Sequence, residues 1–421
     1  MQEKIDQDPK FQGEHVVLPI IIYLDKTTMD GLRRVSVFPM YVSLANFSWG
    51  FYNERGGLEL VALLPQPKPD PDWPQPGYKP KSDAHRDVKH HFITSSLPII
   101  TASARKASWS GIDFVDPHGV HRKGVPQLFC ISKDLGEAST ISNVKSNHCD
   151  SCLVPPKELN RLYEAVDGDY PPREEKKMRV AVNTILDLKE DPRVPMVRVT
   201  EEMKKHGVHP QMPWFFGWKY GTRPWNAPYP KMVPDDLHTV YGGVLGSHFL
   251  NILDAVAEIH PDGKATFLSL MNIRLHQIYL YYNPGLRLPA SKEFFTERYS
   301  VPNYEWKAVM QTSSWNGRWL WWTGFKATFW LEKGIHNEDT LKESDRLLRH
   351  FDDKCTAIAG LQNSAWNFRK YHDLSKFTAT VRRLGATRWT STERGEHEHH
   401  WVKIWWSSMN GRNVDEAMFE A

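Results

Sequence analysis

VVLPIIIYLDKTTMD, residues 16–30, runs through β-branched and apolar side chains and then meets Asp25, with Lys26, Thr27 and Thr28 behind it. A short run rich in Val and Ile, without polar alternation, is the pattern of a strand buried on both faces. Asp25 then falls at or near the end of a central strand, where desolvating a lone carboxylate is costly unless a cation or hydrogen-bond donors compensate it. One reading is a strand end with an Asx or Thr turn. The other is a carboxylate kept for chemistry, and the neighbouring segments bear on the choice.

Two more strand patterns follow, VSVFPMYVSLANFS (35–48) and LELVALLP (58–65), separated by short turns containing Asp30, Gly31, Gly56 and Gly57. That spacing suits an antiparallel meander. PQPKPDPDWPQPGYKPK (65–81) is a Pro-rich loop of extended character. SDAHRDVKHHFITSSLPIITASARKA has room for a helix, and after GIDFVD and the turn PHG the strand VPQLFCISKD ends at Asp134. The order is strand, strand, strand, helix, strand, with an acidic residue closing the first and fourth strands. This is the order of an α/β, RNase H-like mixed-sheet core, in which those two strands are neighbours and would bring Asp25 and Asp134 side by side. Two adjacent carboxylates raise each other's pKa unless cations lie between them. Paired divalent ions about 3.5 to 4 Å apart would answer that repulsion and activate water for attack on a phosphodiester.

Between residues 157 and 380 strand signals are scarce. Helical patterns such as REEKKMRVAVNTILDLKE, DDLHTVYGGVLGSHFLNILDAVAEI and NEDTLKESDRLLRHFDDKCTAIAGL dominate. A block of this length is too long for a loop. The expected organisation is a first core segment over 1–155, a large mostly helical insertion over 156–380, and a final core segment over 381–421.

At 421 residues, 40% hydrophobic and 24% charged, the chain can bury a large core and is not of disordered composition. Its formal net charge of +3 neither requires nor opposes a nucleic-acid partner. Four cysteines, Cys130, Cys149, Cys152 and Cys355, are too few and too uneven for a disulfide framework and point to a reducing compartment. No charged leader precedes an apolar segment. WNGRWLWWTGFKATFWL (315–331) carries Arg318 and Lys326 and falls short of the roughly 20 apolar residues of a membrane span. Its Trp315, Trp319, Trp322 and Trp330 are spaced as a helix stripe for a core or an interdomain contact.

Several pieces, in order, resemble the transposases of Plavaka-type DNA elements, in the Kyakuja, Dileera and Zisupton group. They are PIIIYLDKT (19–27), FPMYVSLANFS (38–48), PQLFCISKDLGEAS (126–139), NHCDSCLVPP (147–156), VPDDLHTVYGGVLGSH (233–248), YYNPGLRLPAS (281–291) and TSTERGEHEHHWVK (390–403). The resemblance implies an acidic triad of the DDE type on an RNase H-like fold, its third carboxylate on a helix after a helical insertion. In TERGEHEHHWVK, Glu393, Glu396 and His399 share one helical face at a spacing of three. The family's Glu-x-x-His pattern selects Glu396, with Glu393 as the alternative. Asp25, Asp134 and Glu396 would hold Mg²⁺ or Mn²⁺, and the chain would cleave DNA at element ends and transfer the strand to target DNA, in the nucleus and as a homo-oligomer, with no membrane partner.

Cys149 and Cys152 in HCDSCLVP have zinc-knuckle spacing, but one tetrahedral zinc needs two further ligands. His148 is adjacent, and His238 and His248 are candidates from the helical block, with His238 preferred for a structural zinc. Asp235 and His238 also match a family motif and are read as organising the insertion. For the grip on phosphates, Arg382, Arg383 and Arg388 in VRRLGATR precede the Glu396 helix. Family members usually carry an N-terminal zinc-finger region and an extension past the last carboxylate. The alternative expectation is therefore a catalytically inactive or domesticated remnant that binds DNA or a protein partner.

Overall fold

A computed structural model describes residues 15–29, 36–54, 56–64, 83–162, 170–218, 229, 232–282, 295, 335–361 and 366–408. The Pro-rich loop and the Trp315 to Trp330 stripe lie outside the described residues.

The chain opens with β1 (His15–Leu24), the two-residue β2 (Thr27–Thr28) and β3 (Ser36–Leu44). Helix α1 (Trp49–Asn53) leads into β4 (Glu59–Leu64). Helices α2 (Asp83–Ile100) and α3 (Ala102–Ser110) precede the hairpin of β5 (Ile112–Val115) and β6 (His121–Lys133). β3 pairs antiparallel with both β1 and β4, as the spacing of the first three runs predicts, and β1 pairs in parallel with β6. β5 and the short β7 (Met232–Val233) also pair with β6, antiparallel and parallel respectively. The result is a mixed α/β architecture built on one seven-stranded mixed sheet.

β1 is buried on both faces because its side chains alternate between two cores. Ile20, Ile22 and Leu24 join Phe38, Met40, Leu128 and Ile131 on one face. Ile21 and Tyr23 join Tyr41, Cys130 and Val233 on the other. Burying an aliphatic side chain of this size contributes about 1.5–3 kcal/mol, so β1 anchors the sheet from both faces.

α4 (Leu135–Ser142) begins directly after β6, and α5 (Glu175–Glu190) and α6 (Met196–His206) follow. Ile141, Met178, Val182, Ile185 and Val199 from these helices, with Trp214 and Phe215, cover the first face of the sheet. The boundary drawn at 155/156 therefore does not coincide with a break in packing: α5, α6 and β7 belong to the sheet's own layers. Two-residue β7 was illegible because a pairing that short carries no period. α6 ends at Gly207, whose positive φ of 65° closes the helix in the left-handed region and whose missing side chain leaves room for the His148 ring.

A π-helix (Leu237–Phe249) runs into α7 (Leu250–Glu258), followed by α8 (Lys264–Tyr282) and α9 (Glu338–Ala357). α9 starts at a capping box in which Asn337 and Thr340 satisfy each other's backbone N–H groups. α10 (Arg369–Asp373) and α11 (Phe377–Leu384) come next. Tyr241, Val244, Leu253, Leu348, Phe351, Trp366, Tyr371 and Phe377 make a further core separate from the two of the sheet. The last described helix, α12 (Glu393–Ser408), returns to the sheet and buries Val402 against its second face. Among the described residues no helix is long and apolar enough to cross a membrane. All four cysteines are buried and none forms a disulfide.

Candidate active site

Parallel pairing of β1 with β6 matches Leu24 with Lys133, so Asp25 and Asp134 leave neighbouring strands at the same end. Tyr23 donates a hydrogen bond from its hydroxyl to Asp25 Oδ2 at 3.1 Å. His399 Nδ1 lies 3.9 Å from the same oxygen. Burial pushes the His399 imidazole down to about 3, so it stands there neutral. Burial, with Glu137 and Asp134 adding repulsion, pushes the Asp25 carboxyl up to about 7, although His238 and the Tyr23 hydrogen bond pull the other way.

The third carboxylate arrives on α12. The segment leading into it is tied to β6 by Ser132, whose hydroxyl donates to Thr390 O at 2.6 Å. Arg394 adds hydrogen bonds to the backbone oxygens of Tyr52 at 3.1 Å and Glu54 at 2.9 Å. Gly395 lies against the Tyr23 ring, where a Cβ would collide with the ring atoms. α12 can approach β1 this closely only because that position carries no side chain.

His238, at the start of the π-helix, joins the insertion to this cluster. Its Nδ1 is 2.6 Å from Asp235 Oδ2 and its Nε2 is 3.2 Å from Glu396 Oε1. The buried Asp235 carboxylate also accepts the backbone N–H groups of His238 at 2.8 Å and Thr392 at 2.9 Å, bridging the start of the π-helix and the residue that precedes α12. Burial alone would lower the His238 pKa, but Asp235, Asp134 and Glu396 overcome it and raise the group to about 10. His238 is thus an imidazolium at neutral pH. Glu396 is pushed to about 7 by burial, with Asp25, Asp235 and Glu393 adding to the rise and His238 opposing it.

Asp134 thus acts on Asp25, Asp25 on Glu396, and the His238 cation interacts with all three carboxylates. Glu396, not Glu393, contacts that cation, while Glu393 adds negative charge beside it. One residue of the cluster has no reading from the sequence, and another has a different one. Glu137, in the first turn of α4, is raised by burial and by Asp134, with Lys89 and Lys26 opposing. Its signal was the spacing of three from Asp134, which a helix turns onto one face. His238 was read as a zinc ligand or an organiser of the insertion, and both its ring nitrogens instead serve carboxylates.

The cysteine pair is completed differently from the expectation. Cys149 Sγ, Cys152 Sγ and a ring nitrogen of His372 lie within 4.8 Å of one another, all buried. His238 is not in that group because Asp235 and Glu396 hold it elsewhere, and the His248 side chain lies outside the described residues. Of the expected phosphate contacts, Arg382 is paired with Glu338 at 3.2 Å and Asp345 at 3.4 Å. Arg383 is exposed on the same helix, and the side chain of Arg388 lies outside the described residues. A basic cleft of about 1510 Å³ opens beside α4, lined by Gly136, Lys89, Lys145, Lys177, Lys204 and Lys205 among others. Lys177 and Lys205 are paired with Glu174 and Glu202.

A family model described as Plavaka transposase matches residues 1–252. No curated protein matches the chain. The matched span includes Asp25, Asp134, the cysteine pair and the Asp235–His238 pair, and ends before α12.

Proposed function

The chain belongs to the Plavaka transposase family, and from that premise we propose that it cuts and joins DNA at a metal-dependent carboxylate site on an RNase H-like sheet. Membership implies a transposase that acts on DNA. The finer reading rests on one observation: carboxylates from two adjacent parallel strand ends and from a distant helix meet around His238. A sheet in which a three-stranded antiparallel unit continues through β1 into parallel β6 and β7 supports the RNase H-like assignment.

Asp25, Asp134 and Glu396 would hold Mg²⁺ or Mn²⁺ through carboxylate oxygens, with Glu137 alongside. The donors fit such an ion: they are oxygen ligands, and Asp25 and Glu396 are both raised to about 7, first by burial and then by neighbouring carboxylates that the single imidazolium only partly offsets. A bound divalent ion supplies Lewis acidity and a water of lowered pKa. Tyr23 fixes one oxygen of Asp25. His238, being protonated, acts as a donor and not as a base: it orients Glu396 and places positive charge where a phosphate oxygen would approach. Asp235 keeps that proton in place. Such a protein would work in the nucleus.

The test is cleavage of labelled DNA by purified protein with Mg²⁺ or Mn²⁺, comparing wild type with Asp25→Asn. Metal-dependent nicking that disappears in the variant supports the assignment. A folded wild type that binds DNA without nicking it under any divalent metal supports the inactive or domesticated reading instead.

A further inference from the structure

The cysteine pair has a purpose that the carboxylate site does not use. Cys149 and Cys152 follow α4 in a segment tied to the next stretch of chain: Arg173 donates its Nε–H to Cys149 O at 2.8 Å and its backbone N–H to Ser151 O at 3.0 Å. The Ser151 amide points at Cys149 Sγ at 3.3 Å, the kind of contact that stabilises a thiolate. From the far side of the chain, α10 delivers His372, whose Nε2 is 3.3 Å from Cys152 Sγ. His372 is completely buried and its Nδ1 has no hydrogen-bond partner, so hydrogen bonding alone does not account for placing the ring there.

Around these three stands a shell of buried charge. Lys376 Nζ donates to Cys152 Sγ at 3.2 Å. Asp150 is held between Lys133 at 2.8 Å and Arg369 at 2.5 Å. The Asp373 carboxylate lies 3.5 Å from Arg369 and within 4.8 Å of both Cys149 Sγ and an Asp150 oxygen. The pair packs on Val154 and Leu159, as reduced thiols do, but it also faces a buried histidine, lysine and carboxylate. A zinc dithiolate adds no net charge to such a setting, and thiolate and imidazole are the ligands zinc prefers.

We propose that Cys149, Cys152 and His372 bind one structural Zn²⁺, with Lys376 donating to the Cys152 thiolate from outside the ligand set and Asp373 adding negative charge beside Cys149. The centre ties the segment that follows Asp134 to the helices that lead into Glu396. The metal joins the two halves of the candidate active site across 220 residues of chain between Cys152 and His372. Only that consequence rests on the proposed function; the zinc site itself does not.

The experiment is metal analysis of the full chain purified from zinc-supplemented medium, followed by exchange with Co²⁺. About one zinc per chain is expected, and Co²⁺ should give tetrahedral d–d bands with thiolate-to-metal charge transfer. Cys149→Ser should weaken the charge-transfer band, and His372→Ala should alter the d–d envelope or lose the metal. Asp25→Asn should keep full zinc content whether or not the wild type nicks DNA, which separates this proposal from the catalytic one. A folded wild type with no zinc and no cobalt bands overturns it, as does a His372→Ala protein whose cobalt spectrum matches wild type.

Discussion

His238 Nε2 lies 3.2 Å from Glu396 Oε1, joining the first turn of the π-helix to the first turn of α12. Asp235 stands behind the imidazole at 2.6 Å and keeps it charged. The Asp–His pair that begins the helical block is therefore part of the carboxylate cluster.

Replacing His238 by Gln should keep the fold, since the ring is at the edge of the cluster and not in a hydrophobic core, but should cut nicking by about 10²-fold, the scale of losing one preorganised donor. Asp235→Asn should bring the His238 pKa down from about 10, read by NMR titration of the imidazole. An unchanged titration in that variant would break the link between the two residues.

Asp25 should trade stability for function. Its carboxyl is raised from 3.8 to about 7 in the fold. A raised carboxyl contributes stability in full below its unfolded value, and that contribution is lost as pH rises through 7. In metal-free protein at pH 8, Asp25→Asn should therefore raise stability by on the order of 4 kcal/mol, with little gain at pH 4. Thermal melts in chelator at the two pH values check the sign, and the same variant should be inactive.

Gly395→Ala should be costly despite its small size. The added methyl meets the buried Tyr23 ring, and overpacking of this kind costs about 1–3 kcal/mol. Because Tyr23 also holds Asp25, nicking should fall further than the loss of folded protein explains. Denaturant unfolding alongside a single-turnover assay separates the two effects.

Acid should destabilise the cleft. The His90 and His209 rings are 4.5 Å apart at their centroids. Burial, with the neighbouring histidines, lowers His90 to about 3; burial, with Lys145, lowers His209 to about 4. Stability from keeping them neutral is complete above about pH 6.5 and is lost as pH falls through 4 for His209 and 3 for His90, on the order of 3 to 5 kcal/mol for each. His90→Gln with His209→Gln should flatten the pH profile of the unfolding free energy between 6.5 and 4.

If DNA runs along the basic cleft, Lys145→Ala and Lys204→Ala should weaken binding equally for different sequences and each reduce the salt slope by about 1. Arg382→Ala should matter less, because Glu338 and Asp345 already partner it. Fluorescence anisotropy across a salt series gives the order.

The antiparallel opening, β6 ending before Asp134 and the doubly buried β1 were legible because strands carry a period of two and because a polar residue ending an apolar run is conspicuous. Glu396 was legible on one helical face with Glu393 and His399, through the resemblance more than the pattern. β7 was not legible, nor was the packing of α5 and α6 on the sheet: their buried stripes are ordinary amphipathic faces, and nothing local says which surface receives them.

The sequence by itself determined where the reactive side chains stand along the chain: carboxylates at two strand ends, a cysteine pair at zinc-knuckle spacing, and an acidic helix start. Only the tertiary structure decided which histidine serves which group. His238 and His372 are each compatible with a metal or a carboxylate, and spacing along the chain does not distinguish them. Asp235 draws one ring into the carboxylate cluster, while α10, packed on the π-helix where Gly243 leaves room for Lys370, carries the other to the cysteines. Partner choice between groups hundreds of residues apart depends on where whole helices pack, and that is a property of the assembled cores.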